Sequence, residues 1–253
     1  VRERSLGETT KQQASGGAST RRIVRDRAAV DADGFVALSS ARHDARRAES
    51  SRSERVVGRA LKGRRDKAIV ATKCGMWWED ARGSYFVDPD GKKVNRSLRP
   101  DTLQIEIENS LRRLEVDCID LYQTHWPSMP PDFTPIADTM AVLLKLKEQG
   151  KIRAIGVSNV SLEELKENVR CGGIATDQFR YSMLHREAET HILPHCAQHN
   201  LATLTYMSLE QGLLTGKIGM DRVFQPGEFR NNAAWNDWLI PVNRRRVLDL
   251  LAS

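Results

Sequence analysis

Five short apolar runs of this sequence end in polar residues of types that can bind a ligand or move a proton. The clearest run begins at Ile119, ends in His125 and Trp126, and is stopped by Pro127. This pattern predicts a buried strand that presents an imidazole at its carboxyl end. An imidazole can act as acid or base near neutral pH, and the carboxyl edge of parallel strands is where α/β proteins collect such groups.

Four other runs have the same form as the run before His125. In chain order, their polar residues are Lys73, Ser158 with Asn159, Gln178 and Tyr206. Taken singly, a lysine after a strand is more often a solvated strand end, and a histidine is more often a satisfied core residue. Polar groups are costly to bury, however, so several of them at one sheet edge are seldom all structural. Their repetition therefore favours one shared site.

The apolar patterns between these residues predict the elements that must position them. In addition to the strand before His125, strands are expected at 68–72, 152–157, 174–178 and 202–206. Helices are expected at 53–63, 100–114, 134–150, 161–170 and 187–199, with another from 242 onwards. Short connections between alternating strands and helices indicate parallel βαβ units, which either a barrel or a doubly wound sheet could hold. No G-x-G-x-x-G follows a strand, which argues against a classical Rossmann domain.

Length and composition favour one α/β domain. A chain of 253 residues with 40% hydrophobic content can bury one good core. No apolar run approaches the roughly 20 residues that span a bilayer, and the first residues do not read as a signal peptide. We therefore expect a cytoplasmic protein with no membrane partner. The four cysteines are widely spaced, and a row of three histidines has no H-E-x-x-H signature, so we expect no metal site.

The basic charge of the chain is concentrated at its amino end. Residues 1–52 carry eleven Lys and Arg against seven Asp and Glu, and contain no Trp, Tyr, Met or Cys. Such a segment buries little surface against its ordering entropy, so we expect poor order in 1–52 and a barrel domain in 53–253. Because the segment has no interleaved aromatic residues, we expect no nucleic-acid partner.

In the long insertion 76–96, Trp77 and Trp78 could line a substrate pocket or cover the rim.

Longer motifs around these residues resemble the aldo-keto reductase family. The resembling motifs are the Ala-Thr-Lys ending at Lys73, the Tyr-Gln-Thr-His-Trp-Pro around His125, the run from Gly150 to Asn159, and the Gln-Gly-Leu-Leu-Thr-Gly-Lys ending at Lys217. They lie within a region from residue 53 to about residue 251. The resemblance implies a (β/α)8 TIM barrel whose strands 3 to 7 are recognisable, whereas strands 1, 2 and 8 are not. It also implies NADP(H) bound without a Rossmann motif.

The activity that the resemblance implies is hydride transfer between NADP(H) and a small-molecule carbonyl or alcohol. Lys73 and His125 match the family's catalytic lysine and histidine. Tyr206 matches the ring that stacks on the nicotinamide, and Ser158 and Asn159 match the pair that holds its carboxamide. The whole set of matching cofactor positions is Ser158, Asn159, Gln178, Tyr206, Ser208, Leu209, Gly212, Leu214, Gly216 and Lys217. The last six belong to a loop laid over the pyrophosphate.

One family motif has no counterpart in this chain. The family's second strand ends in Asp-Thr-Ala-x-x-Tyr, whose aspartate and tyrosine serve catalysis. Counting forward from Ala32 puts Ser39 at the aspartate, whereas counting back from Ser53 puts His43 there and Ala48 at the tyrosine. Losing a general acid costs about 100- to 10,000-fold in rate, so we expect a nearly inactive chain. An alternative is a noncatalytic, nicotinamide-binding barrel that acts as a regulatory or interaction subunit; a third reading is a basic-armed nucleic-acid binder.

The abrupt loss of the family pattern has a simple hypothetical origin. The pattern disappears after about Thr10 and resumes intact at Ser53, and the residues between them are rich in Arg, Ser and Ala. A frame-shifted reading of the gene would produce both features. The family's eighth strand and the segment that grips the 2′-phosphate also have no match before Ser253.

Overall fold

The structure, a computed structural model, describes residues 35–38, 52–87 and 93–252. Most of the segment 1–52, for which we expect poor order, lies outside the described residues. The strands are β1 Phe35–Leu38, β2 Ala68–Cys74, β3 Met76–Trp77, β4 Ser84–Val87, β5 Val94–Arg96, β6 Ile119–Thr124, β7 Ile152–Ser158, β8 Ile174–Arg180 and β9 Ala202–Tyr206. The helices are α1 Arg52–Leu61, α2 Pro100–Leu114, α3 Ile136–Glu148, α4 Leu162–Cys171, α5 Ile192–Gln198 and α6 Pro241–Ala252.

Six strands form one parallel sheet in the order β1-β2-β6-β7-β8-β9. Each new strand is added on the same side of the one before it, so the strand order never reverses as it would in a doubly wound sheet. The prediction of an incomplete (β/α)8 barrel is confirmed. Strand β1 was not assigned from the sequence. It ends at Leu38, which agrees with the forward count that puts Ser39 at the family's aspartate.

The main core lies between this sheet and helices α1, α2 and α3. Helix α2 begins with Pro100 in its first turn and turns Leu103, Ile107 and Leu114 inward, all of them fully buried. Opposite them lie the outward-facing apolar side chains of the strands, such as Ile155. Within the described part of the chain, no helix is both long and apolar enough to cross a bilayer.

The inner face of the sheet is crowded below the candidate site. Gln123, Gly156 and Thr176 are register partners across β6, β7 and β8. A Cβ atom added to Gly156 would lie 2.2 Å from the hydroxyl oxygen of Thr176 and 2.7 Å from Cγ of Gln123. Because a methyl group cannot fit there, glycine at this position leaves the space that the two polar side chains occupy below the rim.

One expectation about the helices is wrong in part. The helix expected at 187–199 is a 3-10 turn at Glu187–Glu189 followed by the shorter α5. A continuous helix would place Pro194 in its interior, where proline removes a hydrogen bond and clashes with the preceding turn. In contrast, the helix expected at 161–170 is present as α4, and Ser161 and Glu164 form a capping box at its start.

The insertion after β2 is a small antiparallel sheet, not an irregular loop. Its strand order is β3-β5-β4, and residues 88–92 within it lie outside the described residues. The side chain of Trp77 is buried and its ring nitrogen donates a hydrogen bond to Asp80 at 2.7 Å. Trp78 lines a polar cavity of about 370 Å³ on the outside of α1 and α2, together with Arg112. Trp77 therefore serves the packing of the insertion, and Trp78 faces an outer surface groove.

Candidate active site

Lys73 and His125 stand side by side at the carboxyl edge of the sheet. Lys73 is the register partner of Gln123, and His125 follows two residues after Gln123. The backbone N–H of His125 donates to the carbonyl oxygen of Cys74 at 2.9 Å, which continues the pairing of β2 and β6 past the end of β6. His125 is buried and Lys73 is half-buried. The two predicted catalytic residues thus share one rim.

Asn159 is the centre of the hydrogen bonds at this rim. Its side-chain nitrogen donates to the carbonyl oxygen of His125 at 2.9 Å and to the hydroxyl of Ser158 at 3.1 Å. Its side-chain oxygen accepts a hydrogen bond from the phenol of Tyr206 at 2.6 Å. Asn159 has a positive φ of 60°, a conformation that asparagine tolerates better than most residues. One amide therefore joins the ends of β6, β7 and β9.

Gln178 completes the rim from β8. Its carbonyl oxygen accepts hydrogen bonds from the hydroxyl of Ser158 at 2.8 Å and from the backbone N–H of Asn159 at 2.9 Å. Among the described residues, the buried side-chain oxygen of Gln178 has no hydrogen-bond partner, and neither has the side-chain nitrogen of Gln123 below it. Buried polar atoms usually have partners, so these two amides indicate a place for a polar ligand.

The loop after β9 carries the other predicted cofactor positions. Ser208 and Leu209 are exposed, a 3-10 segment follows at Glu210–Thr215, and Gly216 and Lys217 are exposed beyond it. Gly212 has a φ of 99°, which favours glycine. Leu214 packs half-buried against an apolar cluster formed by Leu213, Ile218, Leu239 and Val247. All six loop positions therefore lie on one short segment that starts beside Tyr206.

A group of aromatic side chains beside His125 was missed from the sequence. The ring centre of Trp126 lies 5.9 Å from that of Phe86, 5.7 Å from that of Trp235 and 6.5 Å from that of His125. The guanidinium carbon of Arg96 lies 4.5 Å from the Trp126 ring centre, within cation–π range. Trp126 adjoins His125 in the sequence, but Phe86 and Trp235 come from distant segments without a repeating pattern. These rings, instead of Trp77 and Trp78, form the apolar wall next to His125.

Asp177 adjoins Gln178 in sequence but lies on the opposite face of β8, because side chains alternate along a strand. It is fully buried, and in the described part of the chain neither carboxylate oxygen has a side-chain hydrogen-bond partner. Burial raises the pKa of Asp177 to about 7. Burial, followed by the charge of Asp177, also raises the pKa of the Cys196 thiol to about 12. Asp177 therefore opposes folding once it is ionised.

The Asp177→Asn variant is expected to be more stable than the wild type at pH 8. The native pKa is above the ordinary value near 4, so the stability that Asp177 contributes is fully present below about pH 4 and is lost as pH rises through about 7. Removing this titration should raise the unfolding free energy at pH 8 by about 2 to 4 kcal/mol and flatten the pH dependence between 4 and 7.

Urea unfolding at several pH values measures this effect. Glu106, whose pKa burial raises from 4.5 to about 8, remains in the variant and leaves a residual slope of the same sign between about pH 4.5 and 8. The exposed Asp117→Asn variant is the control, and its curve should follow that of the wild type. A slope between pH 4 and 7 that is identical in the Asp177→Asn variant and the wild type would contradict the assignment.

Comparisons with known proteins agree with this geometry. Residues 48–248 match the family model described as the aldo/keto reductase family. The NADH-specific methylglyoxal reductase of Escherichia coli (strain K12) is 44% identical over 200 residues, which cover 79% of this chain and 60% of that protein. The aldo-keto reductase YhdN of Bacillus subtilis (strain 168) is 38% identical, with 79% and 58% covered.

A solved structure gives the same result for the fold. The glycerol dehydrogenase from Gluconobacter oxydans superposes with a TM-score of 0.69 at 39% identity, covering 79% of this chain and 57% of that one. The present chain thus spans about 60% of the length of the relatives that it matches. The family model matches most of the chain, and the relatives share both its barrel and much of its amino-acid sequence. This chain therefore belongs to the aldo/keto reductase family.

Proposed function

We propose that this chain derives from an NADP(H)-dependent oxidoreductase that transfers hydride between the nicotinamide and a small carbonyl or alcohol substrate. The observation that carries the proposal is the meeting of five strand ends at one rim. There Asn159 bonds to His125 and Tyr206, next to Gln178 and Lys73. Polar groups that converge in this way on the carboxyl edge of a barrel are typical of an active site.

The residues of the rim and loop fit a nicotinamide nucleotide. Among the described residues, no group donates a hydrogen bond to the side-chain oxygen of Gln178, so this oxygen can accept one from the amide nitrogen of a carboxamide. Ser158 and Asn159 lie beside Gln178. The Tyr206 ring, fixed by its bond to Asn159, offers a face for stacking. Ser208, Leu209, Gly212, Leu214, Gly216 and Lys217 supply a loop with backbone N–H groups and one cation for phosphates. When bound here, the reduced nucleotide would supply the hydride.

Lys73 and His125 would act on the substrate oxygen. An imidazole at the rim can donate a hydrogen bond to a carbonyl, and a nearby ammonium group favours the negative charge that develops on that oxygen. The apolar wall of Trp126 and its neighbours would exclude water from the reacting atoms. The family's aspartate and tyrosine are not supplied by the sequence, so weak turnover is part of the proposal. The alternative, a noncatalytic nicotinamide-binding subunit, is favoured by the same absence.

The names of the relatives suggest candidates for the substrate and the cofactor. One is named as an NADH-specific methylglyoxal reductase and another as a glycerol dehydrogenase, whereas an aldo-keto reductase from Klebsiella pneumoniae was solved with NADPH. We propose a small carbonyl compound as substrate, NADP(H) or NAD(H) as cofactor, and no nucleic-acid partner. The four cysteines are free thiols, which supports action in the reducing cytoplasm.

Titration of the full chain with NADPH and with NADH, followed by protein fluorescence, tests the proposal. Oxidation of each nucleotide is then measured with methylglyoxal and with dihydroxyacetone. Binding with carbonyl-dependent oxidation supports the enzyme, and binding without turnover supports the noncatalytic subunit. Failure to bind either nucleotide at millimolar concentration, with DNA retention that falls steeply with salt, would instead support the basic-armed nucleic-acid binder.

A further inference from the structure

Glu210 forms a buried ion pair at the start of the loop that follows β9. One carboxylate oxygen accepts a hydrogen bond from the guanidinium of Arg180 at 2.6 Å, and the other accepts from the hydroxyl of Ser182. The side chains of Glu210 and Arg180 are only 2% and 11% exposed. A charge this deeply buried is maintained only when it is paired. The carboxylate of Glu210 and the guanidinium of Arg180 therefore each depend on the other to remain buried.

The backbone of this loop requires such an anchor. Met207, Glu210 and Gln211 all have positive φ values, of 57°, 46° and 54°. Left-handed backbone is unfavourable for residues other than glycine, and it persists only where surrounding contacts impose it. Beyond these residues Leu213 is fully buried in the apolar cluster with Leu239. The loop is thus held by an ionic anchor at Glu210 and an apolar anchor at Leu213, with Gln211 and Gly212 between them.

The ionic anchor is connected to the candidate site through the sheet. Arg180 ends β8 and is the register partner of Tyr206, and the backbone N–H of Tyr181 donates to the carbonyl oxygen of Tyr206 at 3.3 Å. Arg180 also lies 3.6 Å from a carboxylate oxygen of Asp237, on the segment before α6. The same guanidinium therefore joins the strand that presents Gln178, the loop after Tyr206 and the segment around Asp237.

We propose that Arg180, Ser182 and Glu210 form a clamp that positions the loop 207–216 over the nicotinamide nucleotide. The inference rests on the proposed function for the identity of the ligand. Glu210 does not touch the nucleotide in this arrangement; it is a positioning residue that acts through the backbone of the loop. Removing its charge leaves the Arg180 guanidinium with only the longer, 3.6 Å contact to Asp237 among the described carboxylates. The loop can then leave its strained conformation, so fewer molecules hold it ready for binding.

The chain contains a closely matched control for this clamp. Glu54, on α1, accepts hydrogen bonds from the guanidinium of Arg113 at 2.5 Å and from the hydroxyl of Thr72 at 2.7 Å. The side chains of Glu54 and Arg113 are 8% and 13% exposed. This pair has the same chemistry and similar burial, but it lies on the helix-covered outer face of the sheet.

The experiment compares the Glu210→Gln and Glu54→Gln variants of the full chain. We expect the two substitutions to lower the thermal unfolding midpoint by similar amounts. Only Glu210→Gln should raise the Kd for NADPH, by about tenfold if the loop is correctly placed in one molecule in ten. Only this variant should also speed hydrogen exchange in residues 207–216. Glu54→Gln should leave the Kd within about twofold of the wild type.

The outcomes separate the clamp from the proposed function. Equal changes in Kd for both variants, or unchanged exchange in 207–216 for Glu210→Gln, would overturn the clamp. If the wild type binds neither NADPH nor NADH, the proposed function fails and the nucleotide role of the clamp fails with it. In that case faster exchange confined to 207–216 would still show that Glu210 holds the loop.

Discussion

Replacing Lys73 by methionine is expected to lower carbonyl reduction by about 100- to 10,000-fold in a repaired form of this chain. The repair replaces residues 1–52 with a family segment carrying Asp-Thr-Ala-x-x-Tyr and adds the final strand of the family barrel. A tyrosine is a reluctant acid because its ordinary pKa is near 10, and an adjacent ammonium group favours its phenolate. Lys73 lies on the rim beside His125, where it could supply that charge. The rate of nucleotide oxidation at saturating substrate is the measurement.

The control for this substitution is Lys62→Met. Lys62 is exposed and pairs with Glu115 at 3.1 Å, so its loss should leave the rate within about twofold. Full activity in the Lys73→Met protein would remove the catalytic role proposed for that residue.

The frame-shift hypothesis has its own test, since translation of the encoding DNA for residues 10–52 in the other two frames should reveal Asp-Thr-Ala-x-x-Tyr. If neither frame contains it, the hypothesis is wrong.

Removing the ring of Tyr206 is expected to raise the Kd for NADPH by about 10- to 100-fold, because stacking of one aromatic ring contributes about 1 to 3 kcal/mol. The ring is held in place by the hydrogen bond from its phenol to Asn159 and by the pairing of β9 with β8. The Tyr206→Ala variant loses both the stacking face and that bond. Fluorescence titration of the unrepaired chain measures this effect without requiring turnover.

The Tyr206→Phe variant separates the two contributions. It keeps the ring but leaves the side-chain oxygen of Asn159 without this donor, which should cost about 1 to 3 kcal/mol of stability. Its Kd should rise less than about fivefold. The Phe133→Ala variant removes an exposed ring on the connection before α3 and should not change the Kd. If Tyr206→Ala binds NADPH as tightly as the wild type, the nucleotide does not stack on this ring.

The repeating part of the fold could be predicted from the sequence because each unit has its own local pattern. The parallel strands β2, β6, β7, β8 and β9 all lie where apolar runs predicted them. Strands were not predicted where the apolar residues do not recur with a regular period. Strand β1 lies in a segment with little apolar periodicity, and the small sheet β3-β5-β4 lies in an insertion that read as a loop. The helix predicted at 187–199 failed because Pro194 interrupts a pattern that is otherwise helical.

The sequence by itself determined which residues stand within two positions of the carboxyl ends of successive strands, among them Lys73, His125, Gln178 and Tyr206. Strand alternation and family motifs are local properties, so they can be read along the chain. Only the tertiary structure decided which side chains meet. The side chain of Asn159 forms hydrogen bonds that join the ends of three strands, and Glu210 forms an ion pair with Arg180, thirty residues away in the sequence. Such contacts depend on register and on burial between distant segments, and neither property leaves a period in the sequence.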